Sequence, residues 1–263
     1  MKAEEKKQIY NLIKTISQGI YGYTPDAFNH EDPVFKDDFI SEGLNKKTSP
    51  ITENQTTINS IPYEETKKIV SLAAISSKIQ ACTRCRLAAT RTNTVPGTGV
   101  EKPLVLVIGE GPGYEEDQQA LPFVGAAGEL LDKMLASICL SRNQNCYIAN
   151  IVKCRPPQNR DPQPDEIQAC ISYLDAQITL LKPKMILLMG RIAGQTIFKT
   201  NRGISSFRGE ILNYNGIPAM ATYHPSALLR NTELKAPAWE DLKKFRAELL
   251  KIDPDYQHSF VKE

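Results

Sequence analysis

Six cysteines, three histidines and one glycine-rich acidic loop hold most of the chemistry this sequence could perform. Cys82 and Cys85 form a CxxC pair, and Cys154 and Cys170 follow 69 and 85 residues beyond Cys85. Two thiols at CxxC spacing commonly share one metal, and the later two bracket RPPQNRDPQPDEIQA, a proline-rich stretch that needs a cross-link to hold its shape. Four thiolates could close a site. The spacing matches neither a zinc ribbon, where a second CxxC follows, nor a ferredoxin run of three close cysteines, so it does not identify a metal. A metal site, a thiol redox pair and ordinary reduced cysteines all stay open on pattern alone. Cys139, in an apolar helical pattern, and Cys146, at the start of a strand pattern, read as core positions.

The second chemical feature is GEGPGYEEDQQALPFVGAAGELL, from Gly109 to Leu131. Glycines at 109, 111 and 113 permit a tight turn whose backbone amides can approach a ligand closely. A nucleotide-cofactor loop is the obvious rival, but there is no GxGxxG and no GK[ST]. Glu115, Glu116 and Asp117 would also repel a phosphate, so no nucleotide cofactor is expected. Of the three histidines, His224 stands before Pro225 just after a strand pattern, whereas His30 and His258 lie towards the two ends of the chain.

These residues must be positioned by the elements around them. LVLVIG (104–109), CYIANIV (146–152), MILLMG (185–190) and a run near 217–223 read as strands, with helical patterns at 126–139, 165–181, 191–198 and 239–250 between and after them. The alternation predicts an α/β domain, a three-layer αβα arrangement on a mainly parallel central sheet of about four strands. Ligands of such sheets bind in the crevice at the strands' carboxyl ends, and the loops after Gly109, Val152 and Tyr223 lie at such ends. The catalytic domain is expected over residues 76–263. Residues 1–75 are expected to be an extension: Ile9, Ile13, Ile16 and Ile20 suit one face of a short helix, 21–60 reads as a poorly ordered polar linker, and helical spacing returns over 63–80.

With 41% apolar residues among 263, the chain can bury a full core. A net charge of +2 and a pI near 8.1 are too mild to mark a dedicated nucleic-acid binder, so any such contact must come from locally placed cations. No run approaches the roughly 20 apolar residues that span a bilayer, and MKAEEKKQIYNLI is charged where a signal peptide is apolar. A cytoplasmic location with reduced thiols and no membrane partner is the expectation.

Taken together, five motifs in order resemble the family 4, iron–sulfur uracil-DNA glycosylases. They are the four cysteines, Gly109-Glu110-Gly111-Pro112-Gly113, the acidic stretch with Glu116, Pro122-Phe123-Val124-Gly125, and His224-Pro225-Ser226-Ala227. The resemblance spans roughly 180 residues. Ala120 and Leu121 stand where that family usually has Gly and Arg, and Ala126 where a basic residue is common.

The resemblance implies an enzyme that flips uracil out of single- or double-stranded DNA and hydrolyses its N-glycosidic bond, acting as a monomer. It implies a [4Fe–4S] cluster held by Cys82, Cys85, Cys154 and Cys170. Glu110 and His224 would be catalytic, His224 as the donor to uracil O2 and Glu110 as the carboxylate that orients water or stabilises the cationic sugar. Phe123 would stack on the base, Asn150 would read its edge, Glu116 would exclude a C5 methyl group, and amides near Gly111 would touch the base. Ser226 would take phosphate, Leu228 or Leu229 would enter the vacated stack, and Arg230 would sit beside them. Arg155, Arg191, Arg208 and Lys235 are further phosphate candidates. Each residue alone also has a plain reading: a core Phe, a buried structural Asn, a solvated Glu, a structural His. Other readings of the whole chain are an iron–sulfur or zinc module that binds nucleic acid without catalysis, and a relative with altered base preference.

Overall fold

Four short runs rich in branched and other apolar residues build the centre of the fold, because all their side chains but those of Ile217 and Pro218 are buried. The computed structural model describes residues 71–258, 260 and 261. The central strands are β2 (Val105–Gly109), β3 (Cys146–Asn150), β4 (Met185–Met189) and β6 (Ile217–Thr222). All four run parallel, and two antiparallel edge strands, β1 (Thr98–Gly99) and β5 (Ile211–Tyr214), extend the sheet to six in the order β1-β3-β2-β4-β6-β5. Sequence patterning predicted the central four. It missed β1, which is only two residues long, and β5, whose residues are half-exposed at the edge and lack a buried run.

Alternation along the strands sorts the core into two layers. Val105, Val107, Met185 and Leu187 face one side, where they pack with α3 (Gly125–Ala136) and α7 (Lys235–Ile252) through Leu131, Leu135, Leu242 and Phe245. Leu106, Ile108, Ile186 and Leu188 face the other, against α4 (Pro164–Leu181) and α5 (Arg191–Phe198) through Leu174, Ile178, Ala193 and Ile197. Helices on both faces make the three layers expected. The short helices α1 (Leu72–Gln80), α2 (Tyr114–Gln119) and α6 (Pro225–Arg230) complete the described α-helices.

Chain direction explains where a ligand goes. From β2 the chain passes through α3 to β3 on one side of β2, then returns through α4 to β4 on the other. Leaving β4 it moves further out, to β5 and β6, so the connections diverge between β2 and β4. That divergence opens a crevice at their carboxyl ends. The helix anticipated at 63–80 is present over its second part as α1; the expected helix over 4–20 and linker over 21–60 lie outside the described residues.

Candidate active site

Each parallel strand delivers one functional segment to the crevice: Glu110 to Gly113 after β2, Asn150 at the end of β3, Gly190 and Arg191 after β4, and Tyr223 and His224 after β6. Together they line a cleft of about 530 Å³, within the range of small-ligand pockets. Of the residues singled out from the sequence, Glu110, Gly111, Glu116, Phe123, Asn150, His224, Ser226 and Arg230 border it.

Two glycines let the side chains meet. A Cβ on Gly109 would lie 2.4 Å from Asn150 Oδ1 and 2.5 Å from Phe123 Cζ, so the end of β2 is bare in order that the amide and the ring can close over it. Gly190 has φ +92, and a Cβ there would come within 2.9 Å of His224 Cβ.

Phe123 sits at φ 52, in the left-handed region where a bulky residue is strained by about 1–3 kcal/mol. The strain is held by Arg142, which donates from Nη1 to Pro122 O at 3.0 Å and from Nη2 to Phe123 O at 2.9 Å while pairing with Asp132. Arg142 was not foreseen; nothing in its local sequence ties it to a turn 19 residues earlier. The Phe123 ring stacks with the His224 ring at 5.3 Å between centroids and 27° between planes.

Glu116 is more constrained than the sequence suggested. Its Oε2 accepts from the Gly113 amide and its Oε1 from the Val124 amide, each at 3.0 Å, so it staples the two turns that carry the loop and Phe123. Asp117, fully buried, accepts from the amides of Thr92 and Asn93. The acidic run therefore serves the backbone, and it stands in the first turn of α2 where the helix dipole favours it.

Asn150 is buried, and its Oδ1 has no hydrogen-bond partner. An unmet buried acceptor costs roughly 1–3 kcal/mol. Asn150's backbone is fixed from behind by Lys153, a fully buried ammonium whose Nζ donates to Asn150 O and to Gln177 Oε1, both at 2.8 Å. Gln177 in turn donates to Pro96 O at 2.8 Å.

His224 caps α6: its Nδ1 accepts the Ser226 amide at 3.2 Å and lies 2.8 Å from Ser226 Oγ. An Nδ1 that accepts a backbone N–H leaves the proton on Nε2, which makes no hydrogen bond among the described residues. Burial, and secondarily the charge of Arg230, push the imidazole down to about 4, so it stays neutral at physiological pH. Glu110 moves the other way. Burial and the neighbouring Asp161 raise its carboxyl to about 7, with Arg191 pulling partly back. Arg191 is itself paired with Asp161.

Two of the predicted DNA contacts need correction. Leu228 is buried in the core cluster that also holds Leu242, because α6 packs on α3; Leu229 is the exposed one of the two, at 46%. Arg208 is turned inward, pairing with Asp241 and donating to Pro237 O, and its guanidinium lies over Tyr223. Arg155 and Lys235 remain accessible, while Arg191 lines the cleft.

Away from the cleft, Cys82, Cys85, Cys154 and Cys170 line one small cavity, and all six cysteines are free of disulfides. No group of three or more His, Cys, Asp or Glu among the described residues is placed to hold a single metal ion. A donor set of four thiols and no carboxylate nevertheless suits an iron–sulfur group better than a hard cation. Two N–H donors already address the sulfurs: Arg91 Nη1 reaches Cys154 Sγ at 3.1 Å, and the Lys153 amide reaches Cys170 Sγ at 3.3 Å. Burial pushes the Cys154 thiol up to about 11, with Arg91 opposing, and Lys153 likewise opposes the burial of Cys170.

Comparison with known proteins agrees with this geometry. Residues 96–243, more than half the chain, match the model of the uracil DNA glycosylase superfamily. The chain is 44% identical over 184 residues to the type-4 uracil-DNA glycosylase of Sulfurisphaera tokodaii, covering 67% of this chain and 84% of that one. Identity is 42% over 182 residues with the Archaeoglobus fulgidus type-4 enzyme, covering 66% and 91%, and 40% over 177 with that of Thermotoga maritima, covering 66% and 92%. On that match and these identities the chain belongs to the uracil DNA glycosylase superfamily, in its type-4 group.

Proposed function

We propose that this protein is a DNA repair enzyme that extrudes uracil from DNA and hydrolyses its N-glycosidic bond, leaving an abasic site. The observation that carries the reading is Asn150, which borders the cleft and whose buried Oδ1, beside Phe123 and Gly109, has no partner among the described residues. Uracil offers N3–H as a donor and O4 as an acceptor, and one amide can meet both. Cytosine presents the inverted pair and would leave the buried amide mismatched at both ends, which is how a polar pocket rejects a near-isostere.

The remaining groups divide the chemistry. Phe123, held in place by Arg142, stacks on the base. As the bond to the sugar breaks, negative charge gathers on uracil O2, and the Nε2–H of neutral His224 donates to it. Glu110 in its ionised form orients the attacking water or balances the positive charge on the sugar. Glu116 shapes the C5 side of the pocket through the turns it staples. Ser226 and Arg230 take the backbone, and Leu229 fills the gap left in the stack.

Cys82, Cys85, Cys154 and Cys170 would hold a [4Fe–4S] cluster, which when bound serves as a cross-link. Those thiols pin both ends of the 154–170 segment, whose Pro156, Asn159, Arg160 and Asp161 border the cleft. We assign catalysis to residues 76–263 acting as a single copy, since one chain supplies every residue named for the site. The test is release of free uracil from an oligonucleotide bearing one uracil, read as strand scission after alkali. His224→Ala is expected to cut the rate roughly 10²–10³-fold, the usual cost of one such donor. Release at the wild-type rate by that variant removes His224 from the mechanism.

A further inference from the structure

Tyr114 is a large aromatic left 53% exposed at the start of α2. The guanidinium of Arg155 lies over its ring, 5.1 Å from the centroid, in the geometry of a cation–π pair. Arg155 is itself fixed, its Nε donating to Asn159 Oδ1 at 2.7 Å, and Asn159 is held at φ 55 in a short turn. Residues on both sides of the pair border the cleft: Gly113 precedes Tyr114, Pro156 follows Arg155, and Asn159 lies on the rim as well. The acid nearest in sequence is turned away, for Glu115 lies along Gly125.

Topology places this pair relative to the exposed Leu229. Tyr114 and Arg155 come from the loops after β2 and β3, whereas Leu229 and Arg230 follow β6, with β4 between β2 and β6. At about 4.8 Å per strand, β2 and β6 are separated by about 10 Å across the carboxyl ends. The cleft therefore has a hydrophobic finger on one flank and an ordered, cation-backed ring on the other.

We propose that Tyr114, backed by Arg155, is a stacking platform for the nucleobase of a nucleotide adjoining the extruded uracil. This rests on the reading of the cleft as a uracil pocket. Extrusion unstacks the neighbours as well as the target, and a base that loses one stacking partner gains from a replacement face that every base can use. The arginine stiffens the ring and adds charge near the strand's backbone. The contact is blind to base identity and contributes to holding the strand, not to breaking the bond.

The test uses single-uracil oligonucleotides in which each of the two nucleotides on either side is replaced in turn by a tetrahydrofuran abasic analogue. Tyr114→Ala is expected to raise KM by about 5- to 20-fold with kcat unchanged, towards the lower end of what one base–aromatic stack supplies, and Tyr114→Phe to keep wild-type values. At one flanking position, removal of the base is expected to cost wild type a similar factor and to cost Tyr114→Ala nothing more. Losses that multiply at all four positions, or an unaltered KM for Tyr114→Ala, overturn the proposal. A second measurement needs no catalysis: 2-aminopurine at that flanking position is expected to be quenched on binding wild type and not Tyr114→Ala. Quenching without uracil release keeps the platform and sinks the reading of the pocket; release without quenching or coupling does the reverse.

Discussion

His224 and Glu110 are both perturbed by burial, yet burial disfavours charge in each and so pushes their pKa values in opposite directions. The imidazole, at about 4, is a neutral donor across the whole working range. The carboxyl, at about 7, titrates in the middle of it. If the reaction uses ionised Glu110, protonation below pH 7 removes it, so kcat/KM is expected to climb about tenfold per pH unit up to pH 7 and then level off. His224 adds no second limb above pH 5. Asp161→Asn takes away the negative neighbour that raises Glu110 and frees Arg191, both of which lower its pKa, so the limb moves to lower pH. Glu110→Gln removes the limb altogether and lowers the plateau. A pH–rate profile that keeps the same limb in Glu110→Gln would assign it to another group.

The elements carry two further tests, and they show where sequence reading stopped. Ala120 closes α2 at φ 57, a left-handed position that suits glycine, and glycine is the residue usual there in the resembling family. Relieving about 1–2 kcal/mol of strain outweighs the roughly 0.5–1 kcal/mol of chain entropy that glycine adds on unfolding. Ala120→Gly is expected to stabilise the fold by up to about 1 kcal/mol, or about 2–4 °C in Tm, with wild-type uracil release. Behind β3, Lys153→Met would leave Asn150 O and Gln177 Oε1 without their buried donor, costing about 2–4 kcal/mol in thermal or urea unfolding and slowing uracil release at least tenfold. The apolar strand runs and the loop glycines could be read from residue type and order, and Glu110, Phe123, Asn150 and His224 from the resemblance of their motifs to a known family. The partners that hold them could not. Lys153, Arg142 and Gln177 act at separations of 3, 19 and 81 residues on main-chain groups, and a carbonyl leaves no mark on the sequence of the residue that donates to it. The same limit explains Leu228: adjacent leucines look equivalent until α3 packs against one side of their helix.

At the scale of the molecule, the cleft and the cysteine cavity share one piece of chain. The segment from Asn150 to Cys170 borders the cleft at its start, lines the rim again through Pro156 to Asp161 and ends in α4 on a thiol. Besides the thiols, it is tied by Arg160 to buried Glu166 at 2.7 Å, by Glu166 to the Gln163 amide, and by Arg86 to Asp165 at 2.6 Å. The Arg86–Asp165 pair is largely exposed and adds little, so the thiols are the ties whose loss should be felt. With the proposed cluster bound by the wild type, Cys170→Ser is expected to lose its visible absorption and about 10 °C of Tm, the size that follows from several kcal/mol of cross-link in a domain near 190 residues. Because the reacting groups Glu110 and His224 stand on other strands, the remaining folded enzyme should show a raised KM for DNA and a largely kept kcat. His224→Ala should give the mirror image, with full absorption and Tm but a collapsed kcat. A Cys170→Ser protein that keeps its KM and loses only kcat would mean that the thiols act on the chemistry and not on the loop that grips the strand.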